Sequence, residues 1–186
     1  VREDSVKFSL LTCAPGEPIY TLFGHTAIRY QDIANNIDVV FNYGLFSFET
    51  PNFVMRFVKG ETDYALGDTT YDRFAREYHF FNRAVWEQDL NLTTDEKQEL
   101  LNLLKINNLP QNKIFRYNFL FDNCSTRARD IIEKSIMGSV EYSGTDYRLS
   151  FRDIIYKSTV GYDWSRFGMD FCLGVDADRK ITYREE

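Results

Sequence analysis

Two residue types that carry nucleophilic chemistry are scarce enough here to weigh one by one: three cysteines (Cys13, Cys124, Cys172) and two histidines (His25, His79). Cys124 has the most informative setting. It lies in Phe121-Asp122-Asn123-Cys124-Ser125-Thr126-Arg127, where an apolar run gives way to a predicted helix over residues 124 to 137. There Ala128, Ile131, Ile132 and Ile136 recur at helical spacing. Asp122 or Asn123 is the expected N-cap, because a short side-chain oxygen accepts the first free amide hydrogens. A thiol in the first turn faces unpaired amides and the positive end of the helix dipole, which favour the nucleophilic thiolate. Such a thiolate needs a base within reach, usually a histidine held by a third polar group. His25 follows Gly24 at the start of a predicted strand, where its ring can emerge at a sheet end. His79, in Tyr78-His79-Phe80-Phe81, suits a buried or half-buried structural role. The expected pair is Cys124 as nucleophile and His25 as base.

The remaining candidates read differently. Cys13 and Cys172 fit small buried apolar residues or disulfide halves, and an oxidised Cys13–Cys172 pair would leave Cys124 free. No C-x-x-C or zinc-ribbon spacing occurs, so no metal site is expected. There is no G-x-S-x-G elbow, no H-E-x-x-H helix and no P-loop glycine motif. Ser125 and Thr126 read first as residues that satisfy the helix start. Arg29 and Arg127 would bind an anionic group near the reacting centre, against the default of a surface charge and a salt bridge.

The elements that must position this chemistry follow from periodicity. A strand is predicted over 6 to 12, closed by the Ala14-Pro15-Gly16-Glu17-Pro18 loop. A second, His25 to Tyr30, puts His25, Ala27 and Arg29 on one face and Thr26, Ile28 and Tyr30 on the other. A third, Ile37 to Tyr43, puts Asp38, Val40 and Asn42 opposite Ile37, Val39, Phe41 and Tyr43. The linker Gln31 to Asn36 is of hairpin length, and if the more polar faces coincide Asn42 supports His25. Further expectations are a short helix over 51 to 58, a strand over 63 to 66, a helix over 71 to 78 and a strand over 83 to 92. The clearest helix is 94 to 106, capped by Thr93 with Glu96 at the reciprocal position and Leu100, Leu101 and Leu104 inward. A buried strand over 114 to 121 precedes the cysteine helix. A surface helix over 150 to 157 follows it, and beyond Gly161 no element is predicted.

At 186 residues with 44% apolar content, the chain fits one domain, residues 1–186, with a real core. No apolar run reaches the ~20 residues of a membrane helix. The net charge of -6, from 22 basic against 28 acidic residues, and the lack of a dense basic run argue against nucleic-acid binding. Aromatics make up 16%, with 12 Tyr and 16 Phe; they build core and rim, or some line a groove for an acyl, peptide or sugar ligand. The charged start at Val1, without an apolar signal core, reads as a trimmed segment.

On these residues the chain resembles the Lnb N-terminal periplasmic domain family. The resemblance is carried by Leu10-Leu11-Thr12-Cys13-Ala14-Pro15-Gly16, Leu22-Phe23-Gly24-His25-Thr26-Ala27-Ile28-Arg29, Phe41-Asn42-Tyr43-Gly44 and Asn118-Phe119-Leu120-Phe121-Asp122-Asn123-Cys124-Ser125-Thr126-Arg127. The order His then Cys is also similar to the circularly permuted branch of the NlpC/papain-like superfamily. That resemblance implies an α+β fold with a central antiparallel sheet and the nucleophile helix packed against it. It implies His25 as base, Asn42 as orienting residue and Cys124 as nucleophile, with Asp38 on the same face and adjacent Tyr43 open as alternatives to Asn42. Ser125, Arg29, Arg127 and Tyr43 are the expected oxyanion or substrate-binding residues, the backbone N–H of Cys124 or Ser125 being the natural oxyanion donor. No cofactor is implied. The implied activity is a cysteine hydrolase or acyltransferase of the bacterial envelope, first on a lipid or lipoprotein. Cell-wall peptide hydrolysis and a noncatalytic envelope-binding module are the alternatives. The implied location is periplasmic, with export by a signal peptide, and any membrane association, through segments outside this chain.

Overall fold

The computed structural model describes residues 5–46, 51, 62–142, 149–182, 184 and 185. Six strands form one antiparallel sheet: β1 (Val6–Cys13), β2 (His25–Asp32), β3 (Ile37–Leu45), β4 (Asp63–Thr70), β5 (Val85–Asp89) and β6 (Ile114–Arg116). Their spatial order is β5-β1-β2-β3-β4-β6. Five helices are described: α1 (Tyr71–Phe80), α2 (Thr94–Asn107), α3 (Cys124–Ser135), α4 (Phe151–Ser158) and α5 (Asp163–Leu173). The fold is therefore α+β. The expected helix over 51 to 58 lies outside the described residues apart from Pro51. No described helix is long and apolar enough to cross a membrane.

Alternation along the strands divides the apolar residues between two faces. On one, Phe8, Ile28, Tyr30, Phe41, Tyr43, Tyr64 and Leu66 meet Leu100 and Leu104 of α2 and Ala128 and Ile131 of α3. On the other, Leu11, Cys13, Ala27 and Val40 meet Phe74 and Tyr78 of α1. The capping box expected at Thr93 and Glu96 is formed, and α2 runs one residue beyond the predicted end. A third cluster, Leu120, Ile155, Met169 and Ala177, joins α4 and α5. Phe23 and Phe119 pack on it with ring centroids 4.8 Å apart. These two rings lie in the segments that lead into His25 and Cys124, so the C-terminal helices brace both approaches to the site.

Several boundaries differ from the sequence reading for local reasons. The strand expected over 114 to 121 stops at Arg116. The Asn118 side chain accepts from the amides of Leu120 and Phe121 at 3.0 Å each, folding the chain into a turn that competes with extended backbone. β4 continues to Thr70 because it pairs with β3 along its length, a partner that periodicity alone does not reveal. β5 is shorter than expected, pairing with β1 only from Val85 to Asp89. His79 is exposed on α1, not buried or half-buried, and α5 forms where no element was expected. Cys13 is a free thiol buried among Leu11, Ala27 and Tyr78, so the disulfide considered for it is not formed; the Cys172 side chain lies outside the description.

Candidate active site

The site is built at one end of the sheet. β2 begins there and β3 ends there. Gly24 makes that start possible: its φ is +73°, and a Cβ would fall 2.6 Å from the Cys13 carbonyl oxygen, so only glycine fits. The ladder between β2 and β3 runs from Asp32↔Ile37 to Ile28↔Phe41 and stops. In the wedge between the parted strands, the His25 ring reaches Asn42, with Nε2 2.6 Å from Asn42 Oδ1. An amide oxygen only accepts, so Nε2 carries the proton and Nδ1 is left for the sulfur. Asn42 thereby fixes both the tautomer and the tilt of the ring.

Cys124 is the first residue of α3. Asn123 is the N-cap, and its Oδ1 accepts from the amides of Ser125 at 2.9 Å and Thr126 at 3.1 Å. Thr126 Oγ1 reciprocates by accepting from the Asn123 amide at 2.8 Å. The Asn123 side-chain amide also donates to the Phe119 carbonyl at 2.8 Å, tying the cap to the preceding loop. A further tie joins the helix to β2, where Thr26 Oγ1 and Ser125 Oγ lie 2.9 Å apart. These contacts hold Cys124, a half-buried residue, where its thiol and the His25 ring interact.

Electrostatics at the pair oppose one another and can be ordered. Burial is the largest single influence on Cys124 and pushes its thiol up. The hydrogen bond and charge of His25, the Thr26 amide and the Ser125 hydroxyl together outweigh it and bring the thiol down to about 7. For His25 burial again acts first and lowers it, but its contacts with Cys124 and Asn42 win and raise it above the ordinary value. Both directions favour an imidazolium beside a thiolate. Cys13 behaves oppositely, because burial drives its thiol up to about 11. The two described thiols thus differ sharply in nucleophilicity at neutral pH.

The other expected site residues are placed elsewhere or already committed. Arg29 lies on the α1 face, where its guanidinium meets Asp38 at 2.6 Å and Glu87 at 2.9 Å and lies 3.4 Å from the Tyr71 ring centroid. Two carboxylates and a ring satisfy it, and it is not offered to an anion beside Cys124. The same pairing occupies Asp38, which does not orient His25. Arg127 makes a two-pronged contact with Asp122 at 2.5 and 2.8 Å and covers the Phe115 ring. Tyr43 is 1% exposed and accepts from Asn107 Nδ2 at 2.9 Å, in the core beneath α2 and α3. The Ser125 amide is consumed by the Asn123 cap, so of the two backbone donors expected for an oxyanion only that of Cys124 lacks a partner among the described residues.

One site residue escaped the sequence reading. Gly44 packs against the His25–Asn42 pair so closely that a Cβ would sit 2.8 Å from His25 Cε1 and 3.3 Å from Asn42 Oδ1. Its signal was the Asn-Tyr-Gly block itself, although the tightness depends on a neighbouring strand. Gly44→Ala is expected to tilt the imidazole and cut turnover on the order of 100-fold while the fold persists. Activity measured alongside thermal unfolding checks this; unchanged turnover would show that the ring has room.

Among family models, the one described as Lnb N-terminal periplasmic domain matches residues 1–155. Comparison with curated proteins gives no match, and comparison with solved structures gives none. The match takes in β1 to β6, the first helix turn carrying Cys124, and most of α4.

Proposed function

The chain belongs to the Lnb N-terminal periplasmic domain family, and from that premise we propose that it is a cysteine-dependent hydrolase or acyltransferase of the bacterial cell envelope. Its first substrate class is the acyl ester or amide of a lipid or lipoprotein. The observation that carries this reading is the thiol at the start of α3, held against a histidine whose far nitrogen is fixed by Asn42. The family name supports a periplasmic or envelope location. Three features support kinship with permuted papain and NlpC-like enzymes: a strand-borne histidine before the cysteine in sequence, a polar residue on the next strand, and the cysteine opening a helix against an antiparallel sheet.

In the proposed reaction the Cys124 thiolate attacks the substrate carbonyl carbon, and the carbonyl π electrons move onto oxygen. The Cys124 N–H faces that oxyanion. Collapse restores the C=O bond and expels the alcohol or amine, which takes the proton from His25 Nδ1 and leaves a thioester on Cys124. Water or an acceptor hydroxyl or amine then gives its proton to His25 and attacks the thioester, and the thiolate is released.

The test sets a diacylglyceryl lipopeptide beside a muropeptide, with Cys124→Ser as control. Acyl release or transfer from the lipopeptide, lost in the variant, is the expected result. Turnover of the muropeptide alone would move the assignment to cell-wall peptide hydrolysis. Turnover of neither, with Cys124 unreactive to thiol probes, would leave an envelope-binding module.

A further inference from the structure

Cys13 faces His25 across the ladder between β1 and β2. The Cys13 carbonyl and the Pro15 nitrogen lie against Gly24, the residue that leads into His25. Against this same segment lies Arg83, in the connection between α1 and β5. Its Nε donates to the Ala14 carbonyl at 2.9 Å, and its guanidinium carbon is 4.7 Å from the Tyr78 ring centroid. Gly16 fits closely against it: a Cβ there would fall 3.1 Å from Arg83 Cδ and 3.2 Å from Nε. Backbone bonds fix both sides of the contact, from the Arg83 N–H to the Tyr78 carbonyl at 2.9 Å and from the Ala14 N–H to the Ala84 carbonyl at 2.8 Å.

For that one bond to Ala14 the protein buries more charge than it needs. Arg83 Nη2 is buried without a hydrogen-bond partner, the sole such side-chain nitrogen or oxygen among the described residues. No carboxylate of a described residue pairs with the guanidinium, whose contacts are the Ala14 carbonyl and the Tyr78 ring. A neutral side-chain amide could hold Ala14 at a smaller desolvation cost. What the guanidinium adds is a fixed positive charge, and the groups that feel it are Cys13, Tyr78 and His25. Burial drives the Cys13 thiol up to about 11 and the Tyr78 phenol higher still, so neither ionises near neutral pH. His25 is the one whose work depends on taking up and releasing a proton. We propose that Arg83 is a positioning residue of the acyl-transfer site: clasped to Ala14, it keeps a fixed positive charge beside the Cys13–His25 rung that helps the imidazolium release its proton.

The proposal rests on the acyl-transfer reading, in which His25 Nδ1 must protonate the departing alcohol or amine. The contacts with Cys124 and Asn42 hold the proton on the ring, whereas burial and the Arg83 charge favour its loss. The other titratable groups around the ring are Cys124 on α3 and Cys13 on β1, the latter hydrogen-bonded to Tyr78 of α1. No carboxylate of a described residue acts on His25. The sign follows from like charges: without the guanidinium the imidazolium is more stable, and its proton is lost at a higher pH.

The test titrates the imidazole ring protons by NMR in the parent protein and in Arg83→Gln, Arg83→Met and Arg83→Lys, with the exposed His79 as internal reference. Expected is a His25 midpoint about half a unit or more higher in the two neutral variants, within about 0.2 unit of the parent in Arg83→Lys, and an unmoved His79 throughout. The alkaline limb of acyl transfer from p-nitrophenyl butyrate should move with the His25 midpoint. A folded neutral variant with the parent midpoint would overturn the proposal and leave Arg83 a clasp for the loop. So would a lysine variant displaced as far as the neutral ones. Failure of both neutral variants to fold would make the charge a requirement of folding, which also contradicts the proposal. A parent protein that transfers no acyl group would overturn the acyl-transfer reading, and with it the catalytic meaning of the charge, whatever the midpoints show.

Discussion

Cys124→Ala is expected to abolish acyl transfer, lowering turnover by a factor on the order of 10⁶ and leaving only what binding and dipoles supply. Substrate should still bind, because the variant removes one sulfur at a half-buried position and leaves the Asn123 cap intact. Cys124→Ser should do little better, since a serine hydroxyl does not ionise under the influences that bring the thiol to about 7. Cys13→Ala is the matched control. Its thiol is 2% exposed, pushed up to about 11 and enclosed by the α1 face of the sheet. That change should cost stability through a small cavity, about 1 kcal/mol, and leave turnover in place. Assays of the three variants at one folded concentration check the set. Comparable activity in Cys124→Ala would remove the nucleophile from the account.

The second large effect concerns the base. In His25→Ala the burial that raises the Cys124 thiol persists, while the hydrogen bond and charge that oppose it disappear. Only the Thr26 amide and the Ser125 hydroxyl would still favour the thiolate. The sign follows directly: the thiol rises, the thiolate fraction at neutral pH falls, and the midpoint of alkylation against pH moves up by about one unit or more. Turnover loses in addition the proton carrier of both half-reactions, so a fall of about 10⁴-fold is expected. His79→Ala, exposed on α1, should leave both quantities unchanged. Asn42→Ala belongs between these extremes, because it frees the tautomer and tilt of the imidazole but leaves the base present. An alkylation midpoint unaltered in His25→Ala would mean that the imidazole does not touch the sulfur.

What the sequence disclosed about this site was local. Alternation put His25 and Asn42 on the more polar faces of neighbouring strands, but their contact at 2.6 Å depended on those faces coinciding, a register that alternation alone does not encode. The Asn-Cys-Ser-Thr block announced a capped helix with the thiol in its first turn, though Asp122 and Asn123 were equally eligible until the bonds to Ser125 and Thr126 chose between them. The misses were long-range. Arg29 looked available because Glu87, 58 residues away, and Tyr71 reach it only once the sheet and α1 have assembled. Tyr43 sits beside Asn42 in sequence, but the pleat sends it to the opposite face and into the core. The tight fit of Gly44 depends on a distance between separate strands, which periodicity does not encode.

The proposed acyl transfer requires a covalent event at one sulfur, and mass analysis of the acylated protein reads that event directly. Protein mixed with p-nitrophenyl butyrate, quenched in acid within the first turnover and digested, should yield one butyryl group on the peptide containing Cys124. The adduct should be released by neutral hydroxylamine, as a thioester is, and be absent from His25→Ala over the same interval. Turnover without any adduct on that peptide, or an adduct on another residue with Cys124 unmodified, would contradict the account.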